Sequence, residues 1–160
     1  MARSSRWASG ASDASGAAEG PGVAVHSAQL RFRTRGNGHI VDLTEGVARA
    51  VAAAGVQQGI VCVAGRGSTV AVTTMEYEPG GVHDLTEALE RLIPTRGDYE
   101  HNRLNHDTNS HAHMRAAIIG PTETIPIAEG RLALGTWQQV VLLDFDDHER
   151  DRTVHVQVVW

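Results

Sequence analysis

The sequence predicts a single α+β domain, built on a mixed or antiparallel sheet with two to three helices. Segments typical of strands lie at both ends of the chain, and the segments with helical spacing lie between them. Strands and helices do not alternate regularly, as they would in a parallel sheet built from βαβ units. The chain has 160 residues, 41% of them hydrophobic, which suits one domain with one hydrophobic core.

Each predicted element is bounded by a recognisable signal. A polar turn at 35–38 follows the first strand. Thr44 is a typical N-cap for the first helix, and Gly55 is a typical C-terminal stop. Asp84, with a glutamate three residues later, resembles a capping box for a second helix that Pro94 ends. The predicted strands are 25–35, 59–64, 70–75, 123–127, 131–134, 137–144 and 153–160, and the predicted helices are 45–54 and 85–92.

Residues 1–22 differ in composition from the rest, because they are mostly Ala, Ser and Gly. Such a segment buries too little apolar surface to offset the entropy lost on ordering, so we expect a disordered tail before a domain at 23–160. It lacks the apolar stretch of about 7–15 residues that a signal peptide needs. No segment reaches the roughly 20 apolar residues of a membrane-spanning helix. We therefore expect a cytoplasmic protein with no membrane partner.

The charged residues and the single thiol exclude several classes of function. The formal net charge is −5, and all 14 basic residues are arginine. A chain without lysine has neither a P-loop nor a Schiff-base mechanism. No predicted face is basic enough for a nucleic-acid partner. Cys62 is the only cysteine, which excludes an intrachain disulfide and a multi-cysteine zinc site.

Histidine is the unusual feature of the composition, because four of the nine histidines lie within thirteen residues: His101, His106, His111 and His113. Imidazole is the commonest metal ligand and titrates near neutral pH. Zinc, iron and nickel are metals that such ligands suit. In a strand, His111 and His113 would share a face, whereas in a helix they would point roughly 200° apart. The spacing matches no strict motif, so a solvated histidine-rich loop remains an alternative to a metal or proton-transfer site.

Two segments offer groups that bind phosphate. Ser68 and Thr69 follow a buried strand in a glycine-rich turn, where free backbone amides and hydroxyls can form an anion cradle. Arg150 and Arg152 lie two residues apart in a charged turn between the last two strands, and could present two guanidinium forks. The alternatives are an ordinary turn in the first case and a charged hairpin tip in the second.

Two other features have both a structural and a functional interpretation. Glu76 and Glu78 follow a strand at a spacing that puts both carboxylates on one side, which suits metal binding or acid–base chemistry. Exposed acids at a strand end are the alternative. Trp137 lies in the segment GTWQ, where we expect it to pack in the core.

Several motifs together resemble the YjbQ family, whose members are described as secondary thiamine-phosphate synthases. The resemblance covers roughly residues 25–160, and its motifs follow one another in the family's order. They are GSTVAVTTMEYEPG at 67–80, YEHN at 99–102, HDTNSHAHMRAAIIGPTETIPI at 106–127, GRLALGTWQQVVL at 130–142 and the ERDR turn. The resemblance implies a compact α+β fold that assembles as a homotrimer, with polar sites near the subunit boundaries.

The resemblance also implies which residues line the family's polar pocket. Residues matching the family's catalytic pattern are Glu76, His101, Asn109 and His113, with Tyr99 preceding the first histidine. The matching residues for substrate and phosphate are Ser68, Thr69, Gln138, Arg150 and Arg152. Many members carry a histidine at the position of Gly67, and a proline at the position of His111. A histidine lost in one place and gained in another suggests a three-histidine metal site formed by His101, His111 and His113.

The reaction that the resemblance implies joins a thiazole phosphate to a pyrimidine diphosphate and releases diphosphate. The expected partner is therefore a small phosphorylated metabolite. Diphosphate departure is commonly assisted by magnesium, which prefers oxygen ligands, whereas a histidine site favours zinc, iron or nickel. A histidine-bound metal is better suited to activating water. Two alternatives therefore stand beside the synthase: a metal-dependent phosphoester hydrolase, and a non-catalytic trimeric protein that binds a metal or metabolite.

Overall fold

Residues 22–160 of the chain, as a computed structural model describes them, form eight strands and four helices. The strands are β1 (Val25–Thr34), β2 (His39–Asp42), β3 (Gln58–Gly65), β4 (Val70–Met75), β5 (Thr122–Ala128), β6 (Arg131–Leu132), β7 (Gln139–Asp144) and β8 (Arg150–Val159). The helices are α1 (Thr44–Ala54), α2 (Pro79–Leu92), α3 (Glu100–Asn105) and α4 (Ser110–Ile119). The predicted tail lies outside the described residues, apart from Gly22. Within the described part, no helix is long and apolar enough to span a membrane.

The strands form two antiparallel sheets, which confirms the predicted α+β class. One sheet has the order β1-β8-β3-β5-β6, and the other has the order β2-β7-β4. The first and last strands of the described chain are paired along ten residues, from Val25 opposite Val159 to Thr34 opposite Arg150. The predicted turn between the last two strands is wrong in one respect, because β7 and β8 belong to different sheets and residues 145–149 cross between them.

The hydrophobic core is divided by the three-stranded sheet. Val140 and Leu142 of β7 face the five-stranded sheet and α1, while Val141 and Leu143 face α2 and α4. All four side chains are fully buried, and each contributes about 1.5–3 kcal/mol to the free energy of unfolding. The middle strand is therefore apolar on both faces, which explains its uninterrupted apolar sequence.

The helix predicted from Asp84 begins earlier, at Pro79. Its N-cap is Glu78, whose carboxylate accepts hydrogen bonds from the backbone N–H groups of Gly80 and Gly81. Proline is favoured at the first position of a helix, because its missing N–H would have no intrahelical partner there. Glu78 is thus a capping residue and is not a functional partner of Glu76.

The polar segment around the histidines contains two helices that the sequence analysis did not predict. α3 holds His101 and ends at His106, which has the left-handed conformation with a φ of 53°. α4 begins at Ser110, so that His111 and His113 both lie in its first turn. Because residues two apart in a helix point in roughly opposite directions, the two imidazoles lie on different sides of α4.

Candidate functional site

His101 and His113 form the centre of the candidate site. Their rings meet edge to face, with the centroids 4.9 Å apart and the planes at 60°. His101 is carried by α3 and His113 by α4, and both are half-buried. Nδ1 of His113 lies 3.1 Å from the carbonyl oxygen of Ser68, at the end of the loop before β4. The pair therefore joins two helices to the glycine-rich turn.

The hydrogen-bond partners assign the proton positions of the two rings. The Ser68 carbonyl only accepts, so His113 donates through Nδ1 and its Nε2 carries a free lone pair. Nδ1 of His101 lies 3.3 Å from the amide nitrogen of Asn105, which also donates to the backbone carbonyl of His101 at 3.1 Å. That second bond fixes the orientation of the amide. Nδ1 of His101 therefore accepts, and in the neutral ring its Nε2 carries the proton.

Two polar atoms of this region are buried without a partner: Nε2 of His101 and Oδ1 of Asn109. The nearest carboxylate oxygen to His101 Nε2 is on Asp107, at 4.0 Å, beyond hydrogen-bond distance. An unpaired buried polar group costs about 1–3 kcal/mol. Two such groups in one region, one of them on the histidine pair itself, are typical of a place where a ligand makes the missing bonds.

The site opens to solvent beside His113. A pocket of about 320 Å³ is lined by Gly67, Ser68, Val70, His113, Ala116, Ala117 and Pro121. Gly67 has a φ of +148°, and a Cβ atom there would lie 3.2 Å from Nη1 of Arg152. Glycine at this position therefore leaves the guanidinium edge of Arg152 uncovered.

The remainder of the Arg152 guanidinium is engaged in a buried ion pair. Nε and Nη2 each lie 2.6 Å from an oxygen of Asp144, and Nη2 lies 3.1 Å from Asp146. Burial works to lower the pKa of Arg152, but the Asp144 carboxylate outweighs it and raises the pKa. The charge of Arg152 is thus balanced within the protein, and only its Nη1 edge is left for a phosphate.

Thr69 and Arg150 belong to the same cluster. The Thr69 hydroxyl donates to Asp146 at 3.0 Å and accepts from Arg152 at 3.0 Å. Nε of Arg150 donates to Asp146 at 3.2 Å. Burial tends to raise the pKa of Asp146, but the bonds from Arg150 and Thr69 outweigh it and hold the pKa well below its usual range. Of the predicted phosphate-binding residues in this region, Ser68 and Arg150 remain exposed.

His111 does not join the histidine pair. It is 2% exposed and lines a separate cavity beside Arg115 and Phe145. Its Nδ1 is buried without a partner. The hypothesis of a site formed within one chain by His101, His111 and His113 is therefore wrong in its geometry, because two residues of helix separate the rings by roughly 200°.

The described residues place one other set of metal-ligand types together. Ligand atoms of Asp146, Asp147 and His148 lie within 4.8 Å of one another. Asp146 already accepts hydrogen bonds from Arg150 and Arg152, which compete for its oxygens. This set belongs to the segment that crosses between the two sheets, and not to the histidine pair.

Two of the predicted site residues lie at the far end of the three-stranded sheet. Glu76 is exposed after the last residue of β4, whereas Ser68 precedes the first. Six strand residues span about 20 Å. Gln138 lies at the Glu76 end, where its amide donates to the Thr74 hydroxyl at 2.9 Å. The predicted catalytic set is therefore not brought together within one chain.

The structure also shows the positions of two aromatic residues that were singled out in the sequence, Trp137 and Tyr99. Trp137 is 71% exposed, so the prediction that it packs in the core is wrong. The Tyr99 hydroxyl donates to the Pro94 carbonyl at 2.6 Å and fixes the start of α3.

Three residues of the site were not predicted from the sequence: Asn105, Asp144 and Asp146. For the two aspartates a signal exists, since their i, i+2 spacing mirrors that of Arg150 and Arg152 across the crossing segment.

The fold and the site together define a class: two-sheet antiparallel α+β proteins with a half-buried histidine pair beside a glycine turn. A family model described as UPF0047 protein YjbQ-like matches residues 28–160, and the chain belongs to this family.

Relatives and solved structures agree with this assignment. A UPF0047 protein of Archaeoglobus fulgidus is 35% identical over 126 residues, which cover 79% of this chain and 96% of the relative. One of Mycobacterium tuberculosis is 34% identical over 122 residues, covering 75% of this chain and 88% of the relative. The crystal structure of a YbjQ-like protein of unknown function from Sulfolobus solfataricus has a TM-score of 0.81 at 28% identity, and the match covers 86% of this chain and 98% of that protein. A YjbQ/UPF0047 family protein of Clostridium acetobutylicum has a TM-score of 0.75 at 33% identity, covering 82% of this chain and 98% of that protein.

Proposed function

We propose that this protein is an enzyme that transfers a group between small phosphorylated metabolites, with His101 and His113 as a hydrogen-bond donor and acceptor at the reacting groups. The observation that supports the proposal is the complementary state of the two rings, because Nε2 of His101 is a donor and Nε2 of His113 is an acceptor. One donor and one acceptor side by side can bond to a leaving oxygen and to a second polar group of the substrate at the same time. The net charge of −5 also favours a small metabolite over a nucleic acid.

The family resemblance suggests a specific transfer, the joining of a thiazole phosphate to a pyrimidine diphosphate. The thiazole nitrogen attacks the methylene carbon of the pyrimidine, the carbon–oxygen bond breaks, and its electron pair leaves on diphosphate. Such a step is accelerated by aligning the nucleophile and neutralising the leaving group. In the proposal, His101 donates a hydrogen bond through Nε2 to the departing oxygen.

Groups beside the histidine pair support a phosphate position at the glycine turn. The Ser68 side chain is exposed, and the Arg152 edge lies next to the open space at Gly67. Arg150 is exposed as well, although it is paired with Asp146. These groups would bind one phosphate. The Thr69 hydroxyl holds the turn in place through its bonds to Asp146 and Arg152.

The geometry does not fit a zinc, iron or nickel ion held by three histidines of one chain. His111 faces another cavity, and the lone pair of His101 at Nδ1 is taken by Asn105. Oxygen atoms of Asp107 and Asn109 fit a magnesium ion better, since magnesium prefers oxygen ligands. Such an ion, bound together with diphosphate, would neutralise charge on the leaving group.

We further propose that the working unit is a homotrimer whose site is completed between subunits. Glu76 and Gln138 lie about 20 Å from the glycine turn along the three-stranded sheet. A neighbouring subunit can bring these residues to the histidine pair, which one chain cannot do. Co-expression of His101→Gln with Glu76→Gln tests this proposal, because mixed trimers then regain up to roughly one quarter of the wild-type activity. Failure to regain activity in trimers shown to be mixed would contradict the shared site alone.

The activity itself is tested with the purified full chain and both substrate halves. Formation of thiamine phosphate and release of diphosphate are followed, with magnesium present and absent. We expect His101→Gln and His113→Gln to lose about 100-fold or more in kcat/KM. The control is His83→Gln, an exposed histidine on α2 that we expect to retain full activity. Equal activity in all four proteins would overturn the role of the pair.

Phosphoester hydrolysis is a second candidate, favoured by the free lone pair of His113 Nε2. In that reaction His113 would take a proton from water while His101 donates one to the leaving oxygen. Release of orthophosphate from a generic phosphoester, lost in His113→Gln, would favour this candidate. Binding of the metabolites without any product would favour the non-catalytic alternative.

A further inference from the structure

The cavity that His111 lines is a separate feature from the histidine pair. It is largely enclosed and has a volume of about 90 Å³. Its apolar wall includes Leu85 and Leu89 of α2 and the ring of Phe145. His111 and Arg115 of α4 form the polar wall together with Glu90, and three uncharged polar residues complete it: Asn37, Thr86 and Thr95. Because these residues lie across α4 from His113, the cavity does not take part in the proposed reaction.

The polar wall is electrically neutral. Glu90 accepts hydrogen bonds from both the hydroxyl and the N–H of Thr95, at 2.7 and 2.9 Å, and from Arg115 at 2.6 Å. These bonds lower the pKa of Glu90 to about 2, so its negative charge balances the positive charge of Arg115. Burial, and then the charge of Arg115, lower the pKa of His111, which keeps its ring neutral.

The guanidinium of Arg115 is held in a fixed position. Nε and Nη2 donate to the Ile93 carbonyl at 3.1 and 2.6 Å, and Cζ lies 5.9 Å above the centre of the Phe145 ring. Side chains that are fixed in this way lose little entropy when a ligand binds. The buried Nδ1 of the His111 ring has no protein partner, so this one nitrogen is left to bond a ligand.

Water fills such a space poorly. The volume corresponds to about three water molecules, each of which needs two to four polar partners. Much of the wall is hydrocarbon, and the Thr95 hydroxyl and the Glu90 carboxylate are already engaged with each other and with Arg115. Displacing poorly bonded water by a group with an apolar edge increases affinity.

We propose that this cavity is a second ligand site, which binds a neutral molecule of about five or six non-hydrogen atoms with a hydrogen-bond donor and acceptor on one edge. An azole of five ring atoms has this size and this pattern. The polar edge meets His111, and the apolar edge meets the leucines of α2. A charged ligand is disfavoured, because no charge in the wall is left uncompensated.

The test is a titration of the isotope-labelled full chain with pyrazole, benzene and acetate, followed by backbone amide shifts in two-dimensional NMR. We expect saturable shifts in α2 and α4 with pyrazole, at least about tenfold weaker binding of benzene, and no saturable binding of acetate. Equal binding of benzene and pyrazole would overturn the proposal in favour of an apolar void. No saturable binding of pyrazole would overturn it in favour of a hydrated cavity.

Three variants locate the site, and two of them make the same change on opposite sides of α4. His111→Phe keeps the ring but removes both nitrogens, and we expect it to weaken pyrazole binding at least about tenfold. His113→Phe makes the same change on the other side of α4, and we expect it to leave the pyrazole Kd unchanged. Thr86→Phe, at an exposed position of the cavity rim, narrows the opening without touching His111, and we expect it to abolish binding. Pyrazole binding that survives both His111→Phe and Thr86→Phe would place the ligand elsewhere and overturn the proposal.

Discussion

Two polar regions on either side of the glycine turn differ in how completely their hydrogen bonds are satisfied. In one region, Asp144 and Arg152 are buried, and the carboxylate oxygens of Asp144 meet the guanidinium at 2.6 Å. In the other, His101 and Asn109 each keep a buried polar atom without a partner. Both regions are rich in residues that carry out chemistry, and a sequence alone cannot rank them.

The comparison separates structural from functional polar groups. A network whose hydrogen bonds are mostly satisfied has little capacity left for a ligand, and its members hold strands and loops in place. An unsaturated pair loses stability that only a ligand or a transition state can restore. Arg152, which resembles a phosphate-binding residue in the sequence, is therefore mainly a structural residue that leaves one guanidinium edge at Gly67, and the histidine pair is the better candidate for chemistry.

The largest expected effect on stability is that of breaking the saturated network. Asp144→Asn removes the charge that neutralises Arg152, and leaves a buried guanidinium without a full partner. We expect the free energy of unfolding to fall by about 3–5 kcal/mol. Urea denaturation followed by circular dichroism measures it.

The matched control for Asp144→Asn is the removal of one carboxylate charge from an exposed ion pair. Glu149 bonds to Arg33 at 2.9 Å, with both side chains about 60% exposed. Glu149→Gln should change the free energy of unfolding far less than Asp144→Asn does, because solvent screens an exposed pair. Similar losses in Asp144→Asn and Glu149→Gln would show that burial does not distinguish the two pairs.

Removing one polar group from each region should change the free energy of unfolding by different amounts, and both changes should be smaller than that of Asp144→Asn. Thr69→Val keeps the shape of the side chain but leaves Asp146 and Arg152 each without one bond, so we expect a loss of about 1–3 kcal/mol. His101→Leu removes an imidazole whose Nε2 has no partner, so we expect the free energy of unfolding to change by less than about 1 kcal/mol. Thermal unfolding of both variants at the same pH is the measurement, and a larger loss in His101→Leu would contradict the comparison.

Much of the fold could be predicted from the sequence, because strands and helices have local signals. The run Val70 to Met75 was predicted to the residue, and Gly55 ends α1 with a φ of +68° as expected. The predicted start of α2 was wrong, because the capping box expected at Asp84 lies inside the helix, and Glu78 with Pro79 forms the actual N-terminus. α3 was missed because its six residues, five of them polar, have too weak a periodicity to indicate a helix.

The site was predictable only in part, for a geometric reason. His101, Asn109 and His113 were named from their residue types and spacing, and the structure brings the two histidines into contact. Whether His111 joins them depends on the secondary structure of residues 109–113, which composition does not decide. The pairing of Arg152 with Asp144 depends on how the two sheets pack, and no local pattern encodes it directly.

His111, on the other side of α4, also has a buried nitrogen without a hydrogen-bond partner, and it should make the stability depend on pH. Burial, and then Arg115, lower its pKa from the ordinary value of 6.5. The folded protein therefore favours the neutral ring, and its contribution to stability is present above pH 6.5 and lost as the pH falls through the folded pKa. His39 contributes in the same direction, since its pKa is also lowered by burial. We expect His111→Phe to reduce the loss of stability just below pH 6.5, and an unchanged pH profile would contradict this assignment.

Glu90 should have the smallest effect on the pH dependence of stability. In contrast to His111, its carboxylate has hydrogen-bond partners, which are Thr95 and Arg115. Its pKa falls from 4.5 to about 2, so its contribution to stability is present above pH 4.5 and lost only as the pH falls from there towards about 2. The side chain is 45% exposed, so solvent screening limits the effect to less than about 1 kcal/mol. The two windows do not start at the same pH, and urea midpoints measured between pH 7 and pH 2 separate them. Glu90→Gln should flatten the lower window, and it should also lower the pKa of His111 further, because the negative charge of Glu90 raises that pKa.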